Sequence, residues 1–435
     1  MNTIPNEITG EIIQHAMQEV TIGRREESSR LKGVLGRINK TWHGIVYGTG
    51  QYWERVFVHW RMDMAHIKHV CEMARPNERR RCHLHISTET EAEPDADDLE
   101  GIYDVVVISA WSEAIAYHVS PLVYKTQSLT VYTYTPRMVL SVLHDIHTQY
   151  AHALENFVCY STFSATDDGN YLQPILSAHL KQISVSGISP VAFAPGGLQH
   201  IKTLRMFSIP LPLSWDQVIR ILRNCVVIEE LEVVDITCKG NPGGDIIEFP
   251  TLRALKVDIS EAGGIETVEL VYAPGLAYLS LRGDEDAPWD RVVHHMRPIL
   301  RKIKRCCIGS WAYSTQVKDL WYCIGLWAYS TQVKDFVSEL HSTEVLDVRE
   351  GSTHFLEDIA RANGPGHPSL KALKSWIVSR GISDSQVDSL FNWPGSKVTE
   401  IFEGMQEQDE PSFRKWESSG TGYAVFPIKG TPDAL

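Results

Sequence analysis

One short pattern, apolar-x-x-apolar-x-apolar, returns through the middle of the chain at a nearly constant interval. It reads Leu180-x-x-Ile183-x-Val185, Ile201-x-x-Leu204-x-Met206, Ile228-x-x-Leu231-x-Val233, Leu252-x-x-Leu255-x-Val257 and Leu276-x-x-Leu279-x-Leu281. The starts lie 21, 27, 24 and 24 residues apart. Weaker copies extend the series upstream to Leu154 (with Phe157) and Thr126 (with Leu129 and Val131). Downstream they reach Leu300 (with Ile303), Thr343 (with Leu346 and Val348) and Leu370 (with Leu373). A unit this short cannot bury its own apolar side, so each must stack on its neighbours and share one core.

The interval is leucine-rich-repeat spacing. It predicts an α/β fold, a curved solenoid with one short parallel strand per repeat and a return segment between strands. Alternation along each strand puts Leu255 and Val257 inward and Lys256 outward. Some returns are helical: Ser214-Trp-Asp-Gln217 fits a capping box, and Trp215, Val218, Ile219 and Leu222 follow at helical spacing. The asparagine usual after the strand is missing, so the repeats are irregular.

The interval breaks once, between Leu300 and Thr343, a gap of 43 residues. Within it Ile308-Gly-Ser-Trp-Ala-Tyr-Ser-Thr-Gln-Val-Lys-Asp319 recurs as Ile324-Gly-Leu-Trp-Ala-Tyr-Ser-Thr-Gln-Val-Lys-Asp335 at an offset of 16, and removing the offset leaves a normal 27. Residues 308–335 therefore carry a tandem duplication inserted into one return segment, not an additional repeat. Residues 61–390 are expected to form the solenoid, and 391–435, rich in Pro, Gly, Glu and Ser, a partly ordered tail.

Residues 1–60 read differently. Pro5 suits the first turn of a helix. Ile8, Ile12, Ile13 and Ala16 then make one apolar stripe. After a polar loop, a second helical pattern runs through Leu31, Val34, Leu35, Ile38, Trp42, Ile45 and Val46, and Gly48 and Gly50 can stop it. Trp53, Val56 and Phe57 begin a third element. So small a helical unit needs a partner or the rest of the chain to lean on.

Ile4-Pro5-x-Glu7-Ile8-x-x-x-Ile12, then Ile38-x-Lys40-x-Trp42 and Trp53, resembles an F-box. The family opens Leu-Pro-x-Glu-Ile, has Val-Cys-Lys-x-Trp in the middle and closes with Leu-Trp. The domain order resembles the large F-box-like families of mushroom-forming fungi. The resemblance implies a head that docks on the Skp adaptor, and through it on cullin, in a Skp–cullin–F-box ubiquitin ligase. The adaptor-facing positions carry over to Ile4, Pro5, Ile8, Ile12, Ile38 and Trp42. The chain departs from the pattern at Ile4, at Asn39 in place of Cys, and in the long loop from Gln18 to Arg30. A head that only caps the repeats without engaging a ligase is the alternative.

If the repeats hold a target protein, its contacts fall on outward strand positions. These are Tyr160, Ser184, Arg205, Phe207, Glu232, Lys256, Tyr278, Arg282 and Trp376, a mixture of both charges with aromatics.

Other chemistry is weakly signalled. A net charge of −13 argues against a nucleic-acid binder. No Gly-x-x-x-x-Gly-Lys loop and no Gly-x-Ser-x-Gly elbow occurs. His66 and His69, or His144 and His147, have the spacing to share a helix face, but no further ligand stands at metal spacing, so no metal and no cofactor is expected. The acidic run from Glu89 to Glu100 reads as a solvated loop. The eight cysteines contain no Cys-x-x-Cys and read as reduced thiols. With no secretion signal and no membrane span, the expectation is a non-enzymatic, cytoplasmic or nuclear protein.

Overall fold

The structure is a computed structural model. It describes residues 12, 34, 35, 38, 40, 42, 46, 54–59, 62–74, 82–87, 105–133, 142, 151–161, 179–186, 198–239, 243, 246–260, 262–283, 287–309, 331–347, 372–378, 398–406, 411–417 and 420–427. The chain divides into two compact units. Unit 1 holds Met1–Leu211 with Asn224–Val226, and unit 2 holds Pro212–Arg223 with Val227–Leu435.

In unit 1 the strands are β1 (Arg55–His59), β2 (Cys82–Ser87), β3 (Thr126–Thr133), β4 (Asn156–Ser161), β5 (Gln182–Ser186) and the first residues of β6 (Thr203–Ser214). Each pairs in parallel with the strand before it in sequence. Helix α1 (Met64–Ala74) joins β1 to β2, and α2 (Val105–Val123) joins β2 to β3. Register aligns the inward positions into two rows. Val56, Leu84, Leu129, Phe157, Ile183 and Leu204 form one, and Val58, Ile86, Val131, Cys159, Val185 and Met206 the other. Every member is 1% exposed or less. Burial of each larger side chain stabilises by roughly 1.5–3 kcal/mol, and each row is assembled only when repeats stack.

The sheet begins sooner than the sequence suggested. Strand β1 lies inside the 1–60 stretch allotted to the helical head, because the periodic motif is absent there and Val56 and Val58 alternate over too few residues to stand out. Lys125, 6% exposed, ties a helical return to the sheet. Its ammonium donates to the Ala74 carbonyl at 2.5 Å, at the negative end of α1.

In unit 2 the parallel strands are β7 (Glu230–Lys239), β9 (Ala254–Asp258), β11 (Tyr278–Arg282), β12 (Arg305–Gly309), β13 (Val345–Asp347), β14 (Ser375–Val378) and β15 (Glu400–Gln406). Two short segments, β8 (Ile247–Glu248) and β10 (Val271–Tyr272), pair separately. The parallel series thus runs past residue 390. Two antiparallel strands, β16 (Pro411–Glu417) and β17 (Gly420–Pro427), continue it.

The helical returns of unit 2 are α3 (Trp215–Asn224), α4 (Ala262–Leu270), α5 (Trp289–Leu300) and α6 (Thr331–Ser338). Half of the capping box at α3 forms: the Ser214 N–H donates to Gln217 Oε1 at 3.0 Å. Its buried face is Trp215, Val218, Ile221 and Leu222, with Ile221 in place of the expected Ile219. The Trp215 indole donates to Glu266 Oε2 at 2.9 Å.

A turn not read from the sequence precedes β4, β6, β9, β11 and β12. The Leu154 N–H donates to the Ala151 carbonyl (3.1 Å), Ile201 to Leu198 (3.2 Å), Leu252 to Phe249 (3.3 Å), Leu276 to Ala273 (3.1 Å) and Ile303 to Leu300 (3.2 Å). All ten residues are buried. The repeat is therefore one apolar slot longer than the six-residue motif.

Candidate functional site

Two surfaces bear on function: the head, and the outward sheet face of each unit. In the head, Ile4, Pro5 and Ile8 lie outside the described residues. Ile12, Ile38 and Trp42 are helical. Around a helix, Leu35, Trp42 and Val46 fall within about 40° of one another, and Val34 and Ile38 stand beside them. Leu35 (8% exposed) and Val46 (0%) are buried and Trp42 is half-buried, whereas Ile12 is 45%, Val34 54% and Ile38 52% exposed. Leu35, Trp42 and Val46 thus turn inward, while Ile12 and Ile38, two of the adaptor-facing positions, are each open. Lys40 is exposed and helical.

On unit 1, the outward positions form an aromatic row across five of the six strands. Phe57 meets His85 at 5.5 Å between ring centroids, His85 meets Tyr132 at 5.2 Å, Tyr132 stacks on Tyr160 at 5.0 Å, and Tyr160 meets Phe207 at 6.1 Å. Register aligns Phe57 with His85, and Tyr132 with Tyr160 and, across Ser186, with Phe207; His85 reaches Tyr132 diagonally, since its own register partner is Thr130. The Tyr160 hydroxyl lies 3.0 Å from Ser184 Oγ, and Ser184 is only 2% exposed beneath it. Tyr160, Ser184, Arg205 and Phe207 are therefore gathered on one face as expected. Phe57, His85 and Tyr132 were missed. The signal for them was an aromatic ring one residue before or after an inward position on successive strands.

On unit 2, the outward positions carry a network of matched charges. The Lys256 ammonium lies 3.0 Å from Glu230 Oε1, 3.9 Å from Glu232 Oε2 and 5.9 Å from the Tyr278 ring centroid. The Arg305 guanidinium sits 5.4 Å from the same ring. Beside them Asp258, 6% exposed, accepts the Ser260 N–H at 3.0 Å. Burial raises its carboxyl above the usual carboxylate range, against the pull of Ser260 and of the Arg282 charge. Glu232, Lys256, Tyr278 and Arg282 thus share a face.

The backbone of Trp376 stands in register with Leu346 and Ile401, both 0% exposed.

Among the described residues no group of His, Cys, Asp and Glu could hold a metal ion. The thiols are poor nucleophiles. Burial pushes Cys225 up to about 12, and burial with the Glu266 charge does the same for Cys238. Cys159 is raised further by burial alone. Among the described residues, no helix is long and apolar enough to cross a membrane.

No protein-family model matches the chain. No curated protein matches it. Among solved structures it is similar to a chain of the crystal structure of the Rad7 and Elc1 complex in yeast, with a TM-score of 0.36 and 11% identity over 92% of this chain and 93% of that chain.

Proposed function

We propose that this chain is the substrate-recognition subunit of a Skp–cullin–F-box ubiquitin ligase. The head docks on the Skp adaptor, and the outward faces of the repeats hold a target protein. The observation that carries the reading is the head's motif together with its open face: Ile12 and Ile38, adaptor-facing by resemblance, are helical and 45% and 52% exposed. Large apolar side chains left open on a folded unit mark an interaction site.

The chain itself makes and breaks no bond. It raises the local concentration of a target lysine near the charged ubiquitin-conjugating enzyme and fixes its orientation. The protein works in the cytoplasm or nucleus, where the ligase machinery operates.

The test is a quantitative pull-down of the full chain with the Skp adaptor. Ile12→Glu and Ile38→Glu, both at open positions, should each weaken binding about tenfold or more without changing the melting temperature. Pro5→Asp with Ile8→Asp should abolish it. An intact chain that does not bind the adaptor would favour the alternative: a repeat scaffold whose head, changed at Ile4 and Asn39, no longer engages a ligase.

A further inference from the structure

The outward face of unit 1 has a polarity that the chain as a whole lacks. Register gives three outward positions on each of β1 to β6, running from Arg55, Phe57 and His59 to Thr203, Arg205 and Phe207. None of these positions holds a carboxylate or a lysine in a chain of net charge −13. They hold Arg55, Arg205, His59, His83 and His85, with the aromatic row between, and Val158 with small hydroxyl and amide residues elsewhere. Among the described residues, two carboxylates flank the face: Glu54 precedes β1 beside His83, and Glu155 is held by Lys181 at 2.9 Å. Unit 2 is the internal contrast, since Glu230 and Glu232 offset Lys256 on its face.

We propose that the outward face of unit 1 docks an acidic polypeptide segment of a target protein, with apolar side chains against the aromatic row and carboxylates toward Arg55 and Arg205. The inference rests on the reading that the repeats hold a target, and it names the chemical class of that target. Charge complementarity selects the occupant: a face with arginines and no carboxylate attracts an anion and repels a basic segment. Ring geometry separates a polypeptide from a nucleic acid. Tyr132 and Tyr160, at the centre of the row, lie 19° from coplanar and turn their faces to each other, so this pair offers ring edges and hydroxyls. A base needs an open ring face to stack on. Ring edges, carrying the positive rim of the quadrupole, suit aliphatic side chains and carboxylate oxygens.

The experiment pans random displayed peptides against the full chain and measures the enriched peptides by fluorescence anisotropy. Enriched sequences should be rich in Asp and Glu interleaved with apolar residues. Their affinity should fall about tenfold or more in Arg55→Glu, in Arg55→Glu with His83→Glu (both exposed positions), and in Tyr160→Ala. It should fall steeply with added salt and stay unchanged in Lys68→Glu on the exposed side of α1. No enrichment, enrichment of basic or uncharged sequences, or affinity indifferent to the Arg55 variants overturns the proposal. Preferential binding of single-stranded oligonucleotide over the peptides overturns it in favour of nucleic acid. Peptide binding only after the run Glu89 to Glu100 is neutralised would assign the face to the chain's own acidic segment and also overturn it. The assay uses no adaptor, so loss of adaptor binding with peptide binding intact sinks the ligase reading alone.

Discussion

At Gly264 the chain has no room for a side chain. A Cβ there would run into the Asp258 carbonyl oxygen, and one on Gly263 into that of Ile236. These two glycines let α4 lie directly on the strands beneath it. Gly264→Ala should cost about 1–3 kcal/mol or more, because a backbone atom blocks relaxation; an unchanged urea midpoint would refute the close approach. Asp258 gives a signed pH effect. Its folded pKa is raised, so between the unfolded value of 3.8 and the folded value the folded state binds more protons. Stability therefore falls as pH rises through that window. Asp258→Asn, which keeps the acceptor for Ser260, should gain stability at neutral pH relative to wild type and lose that advantage below the window. Denaturation midpoints at both pH values would decide it. Neither effect was legible in the sequence, because a close backbone approach at a glycine and the burial of Asp258 both depend on how neighbouring repeats stack. Leu255, Val257, Leu279 and Leu281 were legible, because alternation with a fixed period leaves one placement that buries them all.

The duplicated segment becomes intelligible at the scale of elements. Its first copy starts in β12, where Ile308 is 1% exposed. Its second copy ends in α6, which leads with Phe336, 0% exposed, onto Trp289 of α5 at 5.5 Å. Deleting residues 308–323 joins Cys307 to Ile324-Gly325 and regenerates the β12 sequence, while α6 is untouched. The deletion variant should be soluble, with a circular dichroism spectrum and melting temperature close to those of the full chain; an aggregated variant would contradict the insertion. Phe336→Ala should by contrast cost about 3–5 kcal/mol. The sequence showed the insertion because an intact period flanks it. It did not show which copy supplies the helix, since Leu320 and Trp321 stand where Phe336 and Val337 stand in the second copy. Only the contact with Trp289 separates them. The aromatic row on unit 1 escaped for a related reason: Phe57 and His85 lie on strands where no copy of the motif was read, and Tyr132 on a strand with a weak one.

At the scale of the molecule, stability comes from stacked rows of buried side chains rather than from staples. Among the described residues the cysteines are free thiols and no metal-binding cluster occurs. Reducing agent and a chelator should therefore each leave the melting temperature of the full chain unchanged, and a clear drop with either would reveal a crosslink or metal. The repeat architecture was legible because stacking demands periodicity. The end of the series was less so, since β16 and β17 turn antiparallel and need no period. The strand order has a consequence for synthesis. Within a unit each parallel strand of the main sheet pairs with the main-sheet strand before it, and backbone bonds tie one entry turn to the last, as when the Lys181 N–H donates to Glu155 and the Lys202 N–H to Lys181, both at 2.7 Å. No such strand has to wait for a distant partner, so loop closure stays short and contact order low. On the ribosome, every repeat that emerges finds its template already in place, and the nascent chain exposes one unfinished apolar edge at a time.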